Sequence, residues 1–284
     1  MPAPPCDELR VVRYADRWGF AARQWQQAIR AVDWDRRDAE PAVRRLKIRA
    51  DGDCTVWRTH LTLDGQPREV VLKTAELPTL IKQAQSWLGL SKSFRQWRGA
   101  ELLNAHGIHA ARGLAILRGR RDEHLLEMLV VEPLNGPTVL QLLTADDLGV
   151  RQQHALARAV GSLFAELIKA GVRVRDPKPS NIIVTEWKDG TPALALVDTV
   201  DVVRAEMEPL AITKAYFEPA GLGCTPRRTL LYRALRAMCD AGPAQTQPGS
   251  IPPRQRVRAL WDWASAEMAR HGDPTPTDNP LATD

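Results

Sequence analysis

The sequence has few cysteines and no long hydrophobic run, and both absences exclude classes of protein. Its four cysteines lie far apart and form no Cys-x-x-Cys pair, so neither a zinc ribbon nor a redox-active pair is encoded locally. Residues 1–20 carry charges throughout and lack the apolar run of about 7–15 residues that a signal peptide needs. The most apolar stretch, Leu125–Val131, is short and contains Glu127, whereas a membrane-spanning helix needs about 20 apolar residues. We therefore expect a cytoplasmic protein in a reducing compartment.

The bulk composition is that of an ordinary globular protein. Of the 284 residues, 44% are hydrophobic and 26% are charged, which argues against disorder and against a fibrous structure. The formal net charge of +5 favours anionic partners such as nucleotides, acidic lipid headgroups and nucleic acid. Since the arginines are scattered and form no platform interleaved with aromatic residues, we do not expect nucleic acid to be the partner.

Hydrophobic periodicity predicts a strand-rich half followed by a helix-rich half. Period-two patterns predict strands between Leu46 and Ala75, and between Ala115 and Val131 around a charged turn at Arg118–Asp122. A further hairpin is predicted around the turn Trp187–Gly190. Helical spacing predicts the remaining elements: Arg17–Val32, Leu80–Asn104, Val139–Ala170, Thr225–Cys239 and Pro253–His271. The sequence therefore predicts an α+β fold.

The segment Val174–Val184 carries the clearest chemical pattern. It places Lys178 two residues and Asn181 five residues after Asp176. Phosphoryl transfer needs such a set, because an Asp orients and deprotonates the attacking hydroxyl, a Lys neutralises the moving phosphoryl group and an Asn binds a metal. The alternative is a proline-rich turn that is capped by Asp and Asn.

A second acid follows the predicted hairpin. Asp198 ends the apolar run Ala193–Val197, seventeen residues after Asn181, and the hairpin would bring its carboxylate beside that asparagine. Paired oxygen ligands of this kind suit Mg²⁺. The alternative role for Asp198 is to cap the turn at the end of the strand.

Upstream, Lys73 ends the predicted strand Arg68–Lys73 and is the residue type that holds the α- and β-phosphates of a nucleotide. An apolar strand that ends in lysine is common, so this feature is weak by itself. The order of Lys73, Asp176–Asn181 and Asp198 along the chain is that of a kinase, and this order strengthens the interpretation.

These residues resemble the protein kinase-like superfamily over approximately residues 46–240. A more particular resemblance is carried by Ser93–Ala100, which contains an Arg-x-Trp segment, and by the turn Gly107–Ile108. The segment Val197–Arg204 is similar to an Asp-x-Asp-Arg region that replaces the Asp-Phe-Gly motif of protein kinases. The chain thereby resembles the bacterial lipopolysaccharide core (Kdo/heptose) kinase family, whose members phosphorylate sugars of the lipopolysaccharide core.

The resemblance implies a bilobal protein kinase-like fold with an antiparallel-sheet N-lobe and a short, mostly helical C-lobe. The implied organisation has four parts. They are an N-terminal helical extension over 1–45, an N-lobe over 46–134, a C-lobe over 135–240, and a Pro-rich linker, terminal helix and mobile tail over 241–284.

The resemblance also implies ATP and Mg²⁺ as cofactors. Asp176 and Lys178 become the catalytic residues, and Asn181 and Asp198 become the metal ligands. The histidine that the kinase pattern has before its catalytic-loop arginine is Val174 here, a departure that leaves the catalytic aspartate in place.

A set of nucleotide-binding residues follows from the same resemblance: Lys73, Glu101, Gly52, Glu132 and Leu134. Gly52 is the one glycine of a loop in which several usually let the backbone approach phosphates. Glu132 and Leu134 belong to the strand-to-hinge link, whose backbone groups would bind adenine; the alternative is a plain interdomain turn. The partner of the lysine is either Glu101, the first acid that follows, or Gln96, which the family register places there; we expect Glu101.

The leading functional prediction is an ATP-dependent phosphotransferase that acts on a hydroxyl acceptor, with a lipopolysaccharide-type saccharide as the acceptor that the resemblance implies. A Ser/Thr protein kinase is the alternative within the same chemistry. A pseudokinase scaffold, which binds a partner without catalysis, is the alternative of another class, because the glycine loop is poor and Val174 and Gln96 depart from the kinase pattern.

The segment Thr79–Arg98 carries four cations and no acid. Its apolar residues recur at helical spacing: Leu80, Ile81, Ala84, Trp87 and Leu88. A basic helix that carries an indole can lie in a membrane interface, which would bring the protein into peripheral contact with the cytoplasmic face of the inner membrane. The sequence favours the other interpretation, a helix whose apolar stripe packs on the N-lobe, because Gly89 interrupts the helix and such stripes usually face a core.

Overall fold

The computed structural model describes residues 9–14, 17–30, 32, 44–48, 54–121, 124–145, 147–213, 218, 227–241 and 252–271. These residues form an α+β protein that divides into two compact units. Unit 1 comprises Met1–Glu101 and Ala111–Pro133, and unit 2 comprises Leu102–Ala110 and Leu134–Asp284. Within the described ranges, none of the helices has both the length and the apolarity that crossing a bilayer requires.

Unit 1 contains a sheet of seven antiparallel strands. They are β1 (Leu9–Arg13), β2 (Arg17–Ala22), β3 (Arg44–Ile48), β4 (Cys54–Leu63), β5 (Gln66–Glu76), β6 (Gly113–Arg121) and β7 (His124–Val131). Their order across the sheet is β1-β2-β6-β7-β5-β4-β3. The β4–β5 hairpin turns at Asp64 and Gly65, whose φ angles of 52° and 75° give the turn that right-twisted strands favour. The predicted antiparallel sheet is therefore confirmed.

Both faces of this sheet carry buried apolar side chains. One face buries Trp57, Leu72 and Met128 together with Trp25 and Ile29, which precede and belong to the short helix α1 (Gln26–Arg30). The other face has a smaller core: Val71, Trp97, Ile116, Leu129 and Val131. This arrangement follows from the period-two alternation of β5, in which successive side chains point to opposite faces.

The N-terminal segment corrects one prediction. The sequence predicts a helical extension over residues 1–45 that includes a helix at Arg17–Val32, but the described part begins with strands β1 and β2. Strand β2 pairs with β6, and a Cβ atom on Gly19 would lie 2.0 Å from the carbonyl oxygen of Ile116. Gly19 lets the backbone of β2 come close to that of β6. Such tertiary contacts decide strand pairing and outweigh the weak helical spacing of the sequence.

Helices α2 (Leu80–Trp87) and α3 (Lys92–Ala105) occupy the stretch that the sequence predicts as one helix. Thr79 caps the start of α2 by accepting a hydrogen bond from the backbone N–H of Lys82 at 3.3 Å. Gly89 ends the helix with a φ of 69°, and the N–H of Leu90 donates to the carbonyl of Gln85 at 2.7 Å. This is a glycine-dependent helix end, so the chain changes direction before α3.

Arg118 corrects a second prediction, because it lies inside β6 and not in a charged turn. Its side chain is 2% exposed, and that of its register partner Glu127 on β7 is 1% exposed. Arg118 Nε lies 3.5 Å from Glu127 Oε2 and donates to Ser86 Oγ at 2.5 Å. Ser86 of α2 donates to Glu127, and its carbonyl accepts a further bond from Arg118. Burial lowers the pKa of the Arg118 guanidinium, and the Glu127 carboxylate opposes that shift.

Unit 2 is mostly helical and contains two small antiparallel sheets. Its helices are α4 (Val139–Thr144), α5 (Val150–Ala170), α6 (Arg228–Ala241) and α7 (Pro253–His271). Its strands are β8 (Val172–Val174), β9 (Ile182–Lys188), β10 (Thr191–Leu196) and β11 (Val202–Arg204). Strands β9 and β10 form the predicted hairpin around Asp189 and Gly190. Residues 242–251 and 272–284, which lie in the segments predicted to be a linker and a mobile tail, lie outside the described residues.

Helices α5 and α6 pack closely where α5 has Gly161. A Cβ atom at that position would lie 2.1 Å from the carbonyl oxygen of Ala234. Such a distance is far inside van der Waals contact, so α6 approaches the backbone of α5 only because the side chain is missing.

We expect Gly161→Ala to lower the free energy of unfolding by about 1–3 kcal/mol, because overpacking against a backbone carbonyl outweighs the gain of up to about 1 kcal/mol in helix propensity. Gly149→Ala at the N-cap of α5 is the matched control, since a Cβ atom there would have no neighbour closer than 3.6 Å. Denaturant unfolding compares the two variants. Equal stabilities would contradict the close packing.

We expect Glu127→Gln to destabilise the protein by about 3 kcal/mol or more, because it leaves the Arg118 charge buried without its counter-ion. The control is Glu69→Gln, which removes the partner of Arg58 from a pair 3.5 Å apart whose side chains are about 30% exposed. That loss should stay below about 1 kcal/mol. Thermal and denaturant unfolding measure both, and similar losses would refute the role given to the buried pair.

Candidate active site

Strands β8 and β11 anchor the segment that carries the predicted catalytic residues. Val174 pairs with Val202 in this antiparallel ladder. Just beyond it, Arg175 Nη1 lies 3.2 Å from Asp201 Oδ2. Val174 is 6% exposed, so the position where the kinase pattern has a histidine supplies an apolar side chain to the core. Asp176 therefore follows a strand end that is held by packing and pairing.

Asp176 and Lys178 lie next to each other in space as well as in sequence. Lys178 Nζ is 3.1 Å from Asp176 Oδ2, and the two side chains are 37% and 50% exposed, so a substrate can reach both. Pro177 and Pro179 on either side of the lysine are buried. Because proline fixes φ near −65°, the backbone on both sides of Lys178 has little conformational freedom.

Asn181 ends a 3-10 turn, Pro179–Asn181, and its side chain holds the loop together. Its Nδ2 donates to the backbone carbonyl of Asp176 at 3.0 Å, and its backbone N–H donates to the carbonyl of Lys178 at 2.8 Å. No described residue donates a hydrogen bond to its Oδ1. That oxygen is therefore available as an acceptor or as a metal ligand.

Asp198 lies beside Asn181 at the end of the hairpin. The N–H of Val197 donates to the carbonyl of Asn181 at 2.9 Å, and Asp198 is the next residue. Its φ of 56° is left-handed, a conformation that Asp tolerates better than most side chains. The side chain of Asp198 is exposed. The hairpin thus brings the backbone of Asn181 next to that of Val197 and Asp198.

These two oxygen donors fit Mg²⁺ better than a metal that needs a closed protein site. Among the described residues, no group of three or more His, Cys, Asp or Glu side chains could hold a metal ion. Mg²⁺ is usually bound through one or two carboxylates together with water and substrate phosphates. The amide oxygen of Asn181 and the carboxylate of Asp198 are protein ligands of the kind that this mode of binding uses.

Glu218 is a residue of this site that sequence reasoning missed. Its Oε2 accepts a hydrogen bond from the backbone N–H of Ser180 at 2.8 Å, and its Oε1 accepts one from Ser180 Oγ at 2.5 Å. Ser180 lies in the turn between Lys178 and Asn181, so the glutamate clamps the loop at its centre. A single acid 38 residues downstream carries no spacing signal that could have revealed the contact.

In unit 1, Lys73 lies on β5 with Val56 of β4 and Leu129 of β7 as its register partners. Its Nζ donates a hydrogen bond to Oε1 of Gln96 on α3 at 3.1 Å, and Gln96 is 5% exposed. Glu101 lies five residues further along α3, which turns it about 140° around the helix from Gln96. Gln96, the alternative that the family register indicates, is thus a hydrogen-bond partner of Lys73, and the expected role of Glu101 stays a prediction.

Two further predicted nucleotide-binding residues, Glu132 and Leu134, lie in the link after β7. The N–H of Glu132 donates to the carbonyl of Arg112 at 2.8 Å, and its carboxylate accepts from Arg112 Nε at 3.1 Å. Leu134 is half-buried. Gly136, with a φ of 128°, runs so close to β9 that a Cβ atom would lie 2.0 Å from the carbonyl oxygen of Val184. Gly52 lies outside the described residues.

Comparison with known proteins adds independent information. Residues 63–202 match the sequence profile described as "Lipopolysaccharide kinase (Kdo/WaaP) family". The matched range contains Lys73, Gln96 and the whole segment from Asp176 to Asp198. No curated protein sequence matches the chain. The match confirms the resemblance predicted from the sequence: residues 63–202 carry the pattern of the lipopolysaccharide kinase (Kdo/WaaP) family.

Proposed function

We propose that this protein is an ATP-dependent phosphotransferase that phosphorylates a sugar hydroxyl of a lipopolysaccharide-type acceptor. The observation that carries the proposal is the loop in which Lys178 lies 3.1 Å from Asp176 and Asn181 is hydrogen-bonded to the Asp176 carbonyl. The family match supports a kinase. We further propose a bilobal, kinase-like arrangement, with the N-lobe over residues 46–134 and the C-lobe over 135–240.

Asp176 is the proton acceptor of the proposed reaction. As its carboxylate takes the proton of the acceptor hydroxyl, the hydroxyl oxygen forms a bond to the γ-phosphorus of ATP. The bond between that phosphorus and the oxygen that bridges to the β-phosphate breaks, and ADP leaves with the electron pair. Lys178 supplies a positive charge beside the phosphoryl group as it moves, which favours the charge distribution of the transition state.

Asn181 and Asp198 would hold Mg²⁺, which supplies positive charge to the phosphates when it is bound. The hydrogen bond from Asn181 Nδ2 to the Asp176 carbonyl, 3.0 Å long, ties this ligand to the proton acceptor. The clamp from Glu218 onto Ser180 restrains the same turn. The distance between the proton acceptor and the metal ligand is thus set by the protein before any substrate binds, as efficient catalysis requires.

Lys73 would bind the phosphates of the nucleotide. Gln96 orients the ammonium group through its amide oxygen, 3.1 Å away. Because the amide oxygen is a neutral acceptor, this hydrogen bond positions the lysine without neutralising its charge. Glu132 and Leu134 are assigned to adenine through their backbone groups, as the family resemblance implies.

A pseudokinase scaffold is the second candidate, because Val174 and Gln96 replace residues of the kinase pattern. The structure gives each replacement a role of its own: Val174 is buried in the core, and Gln96 binds Lys73. Neither replacement removes the charged groups of the loop. We therefore favour catalysis, and turnover decides between the two candidates.

We expect Asp176→Asn to lower kcat about 10²–10⁴-fold, because the amide cannot accept the proton. Nucleotide affinity should change little. Turnover is measured by the release of ADP with purified lipopolysaccharide as the acceptor and, in parallel, with a library of Ser/Thr peptides. Asp189→Asn in the exposed β9–β10 turn is the matched control and should retain full activity.

Wild-type turnover in Asp176→Asn would overturn the assignment of the proton acceptor. ATP binding by the wild-type protein without turnover on any acceptor would establish the pseudokinase instead. Phosphorylation of the peptides in preference to lipopolysaccharide would replace the saccharide acceptor with a protein.

We expect Asp198→Ala and Lys73→Met each to weaken the binding of Mg²⁺-ATP about tenfold or more, since each removes a charged contact to the nucleotide or its metal. Titration calorimetry with and without Mg²⁺ separates the two, because only the Asp198 variant should lose its magnesium dependence. Asp189→Ala controls for alanine at a left-handed position, since the φ of Asp189 is 50°. Unchanged affinity in both variants would contradict the proposed nucleotide site.

A further inference from the structure

Helix α2 has its polar side inward and its apolar side outward. Its buried residue is Ser86, at 0% exposure. Among the described residues, half of the exposed large apolar side chains belong to α2 and the turn that follows it. They are Leu80 (81% exposed), Ile81 (72%), Trp87 (63%), Leu88 (70%) and Leu90 (53%). We call these five residues the α2 surface. An ordinary surface helix buries its apolar stripe, so the folding of unit 1 does not account for this surface.

The buried ion pair fixes this orientation. Ser86 bonds to both Arg118 and Glu127, so rotating α2 to bury its apolar residues would strip those charges of their partners. Trp87 is held as well, because its ring stacks on that of Trp18 with a centroid distance of 4.2 Å. The guanidinium of Arg118 lies 4.3 Å from the Trp18 ring centroid. The α2 surface is therefore a rigid feature of unit 1.

Cations surround the α2 surface, and the segment Thr79–Arg98 contains no acid. Lys92 and Arg95 are exposed at the start of α3, and Lys82 is half-buried on α2. The Arg98 guanidinium reaches the turn between Leu88 and Leu90, since its Nη2 would lie 3.1 Å from a Cβ atom on Gly89. Positively charged side chains thus border the exposed apolar side chains of the α2 surface.

We propose that the α2 surface docks unit 1 on an anionic membrane surface. The apolar side chains and the indole of Trp87 enter the headgroup region, and the cations contact lipid phosphates, which is how basic amphipathic segments bind bilayers. Charge complementarity favours this partner, because four cations without an acid match a surface of uniform negative charge. The purpose of docking, which is to bring the enzyme to a glycolipid acceptor in that membrane, rests on the proposed function. Docking itself needs no ATP.

Vesicle flotation of the full-length protein without ATP tests the proposal. The wild-type protein should bind vesicles of phosphatidylethanolamine and phosphatidylglycerol, should lose affinity as salt rises, and should bind phosphatidylcholine vesicles weakly. Lys82→Glu combined with Lys92→Glu should weaken binding about 25-fold or more, since each cation near the surface contributes about fivefold. Ile81→Ser combined with Leu88→Ser should weaken it about tenfold or more. All four positions are on or near the surface, so the fold should tolerate these changes.

Two control variants match these changes elsewhere on the molecule. Arg151→Glu with Arg228→Glu alters the net charge equally at exposed positions of unit 2, and Val150→Ser with Val203→Ser removes two exposed valines of the same unit. Both should stay within about threefold of the wild-type affinity, because neither changes a residue of the α2 surface or one of the cations beside it.

Three results would overturn the proposal: no binding of the wild-type protein at low salt, equal binding to phosphatidylcholine, or equal losses in the control variants. Sedimentation that shows a wild-type dimer, dissociated by Ile81→Ser with Leu88→Ser, would assign the surface to a second copy instead. Asp176→Asn should bind vesicles normally. Vesicle binding without turnover would therefore refute the proposed function alone, and turnover on soluble core oligosaccharide without vesicle binding would refute docking alone.

Discussion

The buried ion pair of Arg118 and Glu127 ties two strands of the unit 1 sheet to helix α2. Removing two charges from water is costly unless hydrogen bonds complete the pair, and Ser86 supplies them. Arg118 is the register partner of both Trp18 on β2 and Glu127 on β7. Slipping either pairing by one residue would turn these side chains to opposite faces. The pair therefore fixes the register of three strands, the position of α2 on the sheet, and the direction in which α2 presents its apolar side chains.

The two units position their proposed functional groups by different means. In unit 1, strand β5 carries Lys73, and the neutral amide of Gln96 accepts a hydrogen bond from its ammonium group. In unit 2 the loop is held through its backbone, by two buried prolines, by the hydrogen bonds of Asn181 and by the clamp from Glu218. Restraining the backbone leaves the side chains of Asp176 and Asp198 exposed to solvent, where a substrate can reach them.

Sequence reasoning succeeds here where the controlling interactions are local. The β4–β5 and β9–β10 hairpins follow from their turn residues, and the proposed catalytic loop can be recognised because its residues are only two and five positions apart. It fails where distant residues decide the outcome. Arg118 reads as a turn residue until Glu127 and Ser86 surround it, and the strand at Arg17–Ala22 needs β6 as its partner. Glu218 carries no pattern by itself, because its role arises only from its contact with Ser180.

Helix α2 shows how a long-range polar contact can reverse a local apolar pattern. Its sequence alone favours packing of the apolar stripe on the sheet, since burial of leucine and isoleucine is favourable. The sheet position beneath α2, however, holds Arg118 and Glu127 at 2% and 1% exposure. If α2 turned a leucine toward the sheet in place of Ser86, both charges would lose the serine that completes their hydrogen bonding. That loss exceeds the gain from burying one apolar side chain. The buried pair beneath α2 thus places an apolar surface, bordered by cations, on the outside of unit 1. Water does not stabilise an exposed apolar surface of this kind.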